Sequence, residues 1–180
     1  MDIQLIEEFK LSHDLKTQIA ELLKICFPDA CFYGRTYFKQ LPHYRLILSV
    51  DQQLVGQLAL DYRVMRLDQQ PIYVLGLIDF AIHPHYQNQG YSKLLIRALE
   101  HMVAKFEQNI DFLLLTTKQP EFYRKLGFHT TNQTVQWLAI EHLKNYGIQE
   151  QYIENELMYK RICQKKWSEQ SVLDMLGYWY

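Results

Sequence analysis

Between an apolar run that ends at Ile82 and an amphipathic run that begins near Leu94 lies the segment His83-Pro84-His85-Tyr86-Gln87-Asn88-Gln89-Gly90-Tyr91-Ser92. A loop that closes a buried strand and opens a helix presents unpaired backbone N–H groups at the positive pole of the helix dipole, which makes it a ready anion site. Gly90 permits close approach of the main chain, and Ser92 is small enough not to block it. Gln87 and Gln89 add donors without adding negative charge. Neither GxGxxG nor GxxxxGK[ST] occurs here, so nicotinamide dinucleotides and ATP lose their best sequence argument.

A second candidate is Asp79, the one carboxylate in the otherwise apolar run 72–82. Burial disfavours the ionised form and raises the proton affinity of such a group toward values useful to a general base. A salt-bridged structural aspartate fits the same position, and both readings stand. Asp61 and Arg63 on the preceding strand read as solvated strand-face charges with some scope to orient a substrate. His83 and His85 have no further ligand at metal spacing, so no metal site is expected. Cys26, Cys31 and Cys163 form no CxxC pair and suggest a reducing compartment rather than a disulfide framework. Cys26 belongs to an apolar helix face, and Cys31 has no cationic cluster nearby to favour its thiolate.

The elements that must position these groups follow from periodicity. Residues 3–9 alternate as in a short strand. Leu15, Ile19, Leu22, Leu23 and Cys26 share one helical face, with Ser12 as N-cap, Asp14 in the first turn and Pro28 as the stop, which predicts a helix over 12–27. The aromatic stretch 32–38 predicts a short second helix. Residues 45–50, 54–66 and 72–82, separated by polar turns, predict an antiparallel meander. Leu94, Leu95, Ala98, Leu99, Met102, Val103 and Phe106 predict a long amphipathic helix. A buried strand over 111–117 follows, then a short helix opened by Pro120 and capped by Gly127, then strands near 134–140 and 156–162.

Composition narrows the function. A 180-residue chain that is 48% hydrophobic is long enough for one substantial core, and a single domain over 1–180 is expected. A net charge of -1 argues against a partner held by phosphate neutralisation, so no nucleic acid is expected. No apolar run approaches the ~20 residues of a membrane helix, and the start of the chain has no signal-like segment. The expectation is a soluble, cytoplasmic protein without a membrane partner. The aromatics of the tail, Tyr178, Trp179 and Tyr180, have two uses open to them: docking on the sheet, or a homodimer contact.

With these elements in place, the run Ile82-His83-Pro84-His85-Tyr86-Gln87-Asn88-Gln89-Gly90-Tyr91-Ser92 resembles the acyl-CoA motif of the GNAT superfamily of N-acetyltransferases, written [Q/R]-x-x-G-x-[G/A]. Ser92 departs from that pattern, which prefers Gly or Ala. Downstream, Glu121-Phe122-Tyr123-Arg124-Lys125-Leu126-Gly127-Phe128 is similar to the family's second signature, an aromatic-Tyr-x-x-x-Gly-Phe helix end. The resemblance implies an α/β (α+β) fold with a mixed, mostly antiparallel sheet of about 6–7 strands flanked by helices. Its core would span residues 3–162, with 163–180 as a tail. It further implies that Gln87, Asn88, Gln89, Gly90, Tyr91 and Ser92 cradle the pyrophosphate of acetyl-CoA. The strand end Phe80, Ala81 and Ile82 would splay from strand 112–117 to admit the pantetheine arm, with backbone donors of Phe80 and Ile82 beside the thioester.

The chemistry so implied is direct transfer of an acetyl group to a primary amine of a small molecule or peptide in a ternary complex. Such an attack needs a neutral nucleophile, a donor for the oxyanion and a proton for the departing thiolate. Tyr123 is the expected proton donor, because a phenol of ordinary pKa ~10 stays protonated at neutral pH. Asp79 is the nominee for the amine's proton, a water chain being the other route. Two alternatives remain: a catalytically silent acyl-CoA-binding module, and an acyltransferase that uses a longer acyl donor.

Overall fold

The computed structural model describes residues 1–30, 32–106 and 108–180, which leaves Cys31 outside the described residues. Its elements are β1 (Asp2–Glu7), α1 (His13–Cys26), β2 (Tyr44–Val50), β3 (Gln53–Leu67), β4 (Gln70–Ile82), α2 (Tyr91–Val103), β5 (Phe112–Thr116), α3 (Pro120–Arg124), β6 (His129–Glu141), β7 (Lys144–Arg161) and β8 (Leu173–Tyr178). Among the described residues the eight strands hydrogen-bond in the order β1-β2-β3-β4-β5-β7-β6-β8, with a further β3–β8 pairing. The β4–β5 and β6–β8 ladders are parallel, while β1–β2, β2–β3, β5–β7 and β6–β7 are antiparallel. This is the mixed, mostly antiparallel sheet that the sequence implies, with one strand more. By its contacts the chain forms two compact units, 1–61 with 77–102 and 62–76 with 103–180.

The first unit is built around α1 and the β1–β2–β3 strands. Ser12 caps α1 as its sequence predicts, accepting the Leu15 amide at 3.2 Å. Ile19, Leu22 and Leu23 pack with Ile47, Phe32 and Ala81 into one apolar cluster. The short helix expected over 32–38 does not form. Tyr33 and Gly34 both take positive φ, 53° and 75°, which breaks a right-handed helix. The aromatics instead make ring contacts, Phe32 with Phe27 at 6.0 Å and with Phe38 at 5.7 Å, and Arg35 lies over Tyr33 and Tyr37. A side chain at Gly56 would meet Ile82 and the Ala81 carbonyl, so glycine there lets the end of β4 approach β3.

Arg45 is the largest fully buried side chain of this unit. Its guanidinium donates to Glu8 Oε2 at 2.6 Å, to Gln57 Oε1 at 2.8 Å and to the Thr36 carbonyl at 2.6 Å. The turn after β1, strand β2, strand β3 and the aromatic loop thus meet on one buried cation.

The second unit surrounds a cluster of Met65, Ile72, Val74, Phe112, Leu114, Val135, Leu157, Leu173 and Met175. The tail docks on this unit as β8, paired with β6 through Val135↔Leu173 and with β3 through Leu67↔Leu173. Trp167 anchors the approach to β8. Its indole donates to Gln133 Oε1 at 2.8 Å and stacks on Tyr159 with ring centroids 4.6 Å apart. Arg63, expected to be solvated, is instead held between the rings of Tyr178 and Tyr180 at 4.2 and 4.6 Å and donates to the Tyr178 carbonyl. Glycine makes room on both sides: a side chain at Gly177 would strike Arg63, and one at Gly76 would strike the Tyr180 ring.

Removing the counter-charge of Arg45 leaves a buried, uncompensated guanidinium, for which the cost is ~3–5 kcal/mol. Glu8→Ala is therefore expected to lower the urea midpoint of unfolding sharply, while an exposed carboxylate control, Glu121→Ala, stays within about 0.5 kcal/mol of the parent.

Candidate active site

In the first unit, β4 ends at Ile82 and a single 3-10 turn, Pro84–Tyr86, leads to the polar loop. His83 caps that turn, its Nδ1 accepting the His85 amide at 3.3 Å, so this imidazole nitrogen is engaged with backbone. The Gln87 amide nitrogen of the side chain donates to the Ile82 carbonyl at 2.9 Å, and that of Gln89 donates to the His85 carbonyl at 2.8 Å. Both glutamines therefore brace the loop onto the preceding turn. Asn88 and Gly90 take φ of 61° and 87°, and a side chain built on Gly90 would meet nothing within 4 Å. Glycine is required here for backbone conformation, and the space beside it is open. Tyr91 opens α2, whose first turn carries no acidic residue, so the field of the helix N-terminus is not cancelled locally. The first amides of an α-helix have no carbonyl one turn earlier to receive them. Main-chain donors at a helix N-terminus of this kind suit an anion.

Asp79 lies three residues before the end of β4 with φ of 49°, a left-handed residue within a strand. Asp tolerates that conformation better than most residues, and it interrupts the strict in-out alternation of the strand. Its carbonyl accepts from the Gln57 side-chain amide, which ties it to the Arg45 network. Its side chain is only partly exposed. Burial pushes the carboxyl up to about 6, with the Arg45 guanidinium and then the Lys39 ammonium pulling the other way. Burial in turn lowers Lys39, against the opposing pull of Asp79. Phe80 is partly exposed, while Ala81 and Ile82 are buried. The Ile82 carbonyl also accepts from Cys26 Sγ at 3.3 Å, and burial pushes that thiol up.

Tyr123 belongs to the second unit, in α3. Its carbonyl receives the amides of Leu126 at 2.9 Å and Phe128 at 3.1 Å as the helix ends, with Gly127 at φ 81°. Its ring contacts Phe122 and Phe128, edge to face, at 4.9 and 5.8 Å. Burial pushes the phenol up to about 12, so it is held protonated far above neutral pH.

One pair was not legible as such in the sequence. Asp61 is buried, at 3% exposure, and its Oδ1 lies 2.9 Å from His43 Nδ1, so it is no solvated strand-face charge. Asp61 ends a stretch of β3, residues 55–61, that is buried on both faces, so the alternation of the strand gave no sign of it. Among the described residues no group of three His, Cys, Asp or Glu side chains is placed to hold a metal ion, and no helix is long and apolar enough to cross a membrane.

Comparison with known proteins bears on the same segment. Residues 42–130 match the family model of the acetyltransferase (GNAT) domain. Similar solved structures include a GCN5-related N-acetyltransferase from Anabaena variabilis ATCC 29413, with a TM-score of 0.61, 20% identity, and coverage of 75% of this chain and 34% of that one. This chain thus spans about a third of that protein's length. Tetrahymena GCN5 aligns with a TM-score of 0.59 and 17% identity over 90% of this chain and 96% of its own. The ribosomal-protein-S18-alanine N-acetyltransferase from Escherichia coli aligns with a TM-score of 0.56 and 16% identity over 92% and 97%. At these identities the likeness is one of fold. No curated protein matches the sequence.

The raised carboxyl of Asp79 has a consequence for stability with a definite sign. The folded state holds the proton more tightly than the unfolded chain, in which the value is 3.8. The stabilising contribution is complete below the unfolded value and is lost as pH rises through about 6. Above that, ionised Asp79 costs roughly 3 kcal/mol. Asp79→Asn is expected to melt several degrees higher than the parent at pH 8 and at the same temperature at pH 4, read by circular dichroism across that range. A constant difference at both pH values would contradict the assignment.

Proposed function

The chain belongs to the GNAT superfamily, carrying the acetyltransferase domain over residues 42–130, and from that premise we propose that it transfers an acetyl group from acetyl-CoA to a primary amine of a small molecule or peptide. The observation that carries this reading is the loop before α2, a main-chain cradle with Gly90 at φ 87° and open space beside it. In this reading one catalytic domain spans the chain and acts in the cytoplasm, free of membrane and nucleic acid, with a homodimer as its open oligomeric form.

Gln87, Asn88, Gln89, Gly90, Tyr91 and Ser92 would hold the pyrophosphate, through backbone N–H groups and the positive end of α2. Phe80, Ala81 and Ile82 would line the pantetheine arm with main chain. Acetyl-CoA would supply an activated thioester. Asp79, with its carboxyl at about 6, is matched to receive a proton from an amine near neutral pH. Tyr123, held protonated by burial, is matched to give a proton to a departing thiolate. Direct attack within a ternary complex needs no covalent enzyme intermediate, and neither Cys26 nor Cys163, whose thiols burial pushes up, has a role in it.

Thiol release from acetyl-CoA, followed with a thiol reagent across aminoglycosides, polyamines, amino acids and peptide N-termini, tests the proposal. Tyr123→Phe is expected to keep the parent's affinity for coenzyme A and to lose ~10²–10⁴ in turnover. Gly90→Val, which forces a β-branched residue into left-handed backbone, is expected to abolish the coenzyme A-dependent rise in melting temperature. Thermal stabilisation by coenzyme A without thiol release from any amine would favour the silent binding module. Release only from longer acyl-CoA esters would favour the other donor.

A further inference from the structure

A pyrophosphate at the loop before α2 is only part of the charge of coenzyme A, whose ribose also carries a phosphate monoester on its 3′-oxygen. That dianion lies one sugar away from the pyrophosphate. The side chains just past the loop have the opposite sign. Residues 80–99 contain Lys93 and Arg97 and no aspartate or glutamate. Lys93 is the third residue of α2, and Arg97 stands four positions further on. Residues four apart on an α-helix are turned by about 40° and separated by about 6 Å of rise, so the two share one face. Both are exposed, whereas Leu95, Ile96, Leu99 and Val103 on the opposite side of the helix are buried. Side chains on a helix lean toward its N-terminus, which tilts both cations back toward the loop.

Helix stability alone would arrange these charges the other way. The N-terminal turn of a helix is its positive end, where a carboxylate is favoured and a cation is disfavoured. In α2 the first turn holds no acid and does hold Lys93, and the first carboxylate along the helix is Glu100, half-buried and nearly a turn beyond Arg97. By contrast, α1 follows the rule, with Asp14 in its first turn and Lys24 in its last. Among the described residues neither Lys93 nor Arg97 has an ion-pair or side-chain hydrogen-bond partner. Two uncommitted cations beside an already positive helix end repel one another and the helix dipole, and an anion placed there relieves both repulsions at once. Lysine supplies a mobile point charge, while the planar fork of arginine suits two oxygens of one phosphate.

We propose that Lys93 and Arg97 bind the 3′-phosphate of coenzyme A and make this chain select coenzyme A over forms that lack that group. This rests on the acetyl-transfer reading and adds to it the determinant at the nucleotide end of the donor. Main chain of the loop takes the pyrophosphate, which every such donor carries, and the two side chains take the monoester, which only the complete coenzyme carries. The contact is remote from the thioester, so it acts on donor affinity and leaves the transfer step unchanged.

Calorimetric titration with coenzyme A and with dephospho-coenzyme A, which differ only in the 3′-phosphate, isolates this contact. The parent is expected to bind coenzyme A about 5- to 10-fold more tightly than the dephospho form, with the ratio narrowing as salt is raised. The double variant Lys93→Ala and Arg97→Ala should bring the ratio close to unity while leaving the affinity for dephospho-coenzyme A at the parent's value. Alanine is a strong helix former, so α2 is retained, and an unchanged melting temperature without ligand verifies it. Lys16→Ala, which removes an exposed cation from the start of α1, should keep the parent's ratio. Equal binding of the two ligands by the parent overturns the proposal, as does a double variant that keeps the preference. A double variant weakened equally toward both ligands also overturns it, because the cations would then serve the pyrophosphate. If neither ligand binds the parent, the acetyl-transfer reading falls and takes this assignment with it, an outcome distinct from equal binding of both.

Discussion

The first unit is organised by the need to neutralise one buried cation. Arg45 has no exposed surface, and a guanidinium so placed is tolerable only with its donors satisfied and its charge matched. Glu8 supplies the charge, Gln57 and the Thr36 carbonyl supply further acceptors, and Gln57 passes the constraint on to the Asp79 main chain. Five separate stretches of chain are thereby registered against one another. The left-handed backbone of Asp79 and its partly enclosed carboxylate are the far end of that network, so the electrostatics of the candidate acceptor site begin at a residue that never reaches solvent.

Much of this was legible in the sequence wherever the cause is local. Ser12 caps α1, Gly127 ends α3, and the turns at 51–52 and 68–69 separate the strands of the meander because each depends on residues within a few positions of one another. The helical period of Leu94, Leu95, Ala98 and Leu99 located α2 for the same reason. Long-range partners were less accessible. β8 draws its ladder from β6 and from the end of β3, more than a hundred residues upstream, and a six-residue run carries no mark of such partners. The expected second helix failed at Tyr33 and Gly34, where two successive left-handed residues turn the chain so that its aromatics meet one another.

The site residues divide in the same manner. The loop Gln87 to Ser92 announced itself through glycine and polar neighbours, and its positive φ values follow from those residue types. Asp79 stood out by contrast with the dry strand around it. Asp61 did not, because flanking charges and a long mixed strand disguised its burial, and the histidine that pairs with it lies eighteen positions earlier in a loop. A candidate that depends on main-chain conformation was easier to see than a contact between two side chains from different stretches of chain.

Gly76 and Gly177 admit the Arg63–Tyr178–Tyr180 stack only because they carry no side chain. Bulk gained at position 76 must be yielded at position 180, and bulk gained at 177 must be yielded at 63. These four positions are therefore not free to drift one at a time. In a lineage of this fold they would change in concert, so that the effect of a substitution in mid-chain depends on which aromatic stands more than a hundred residues later.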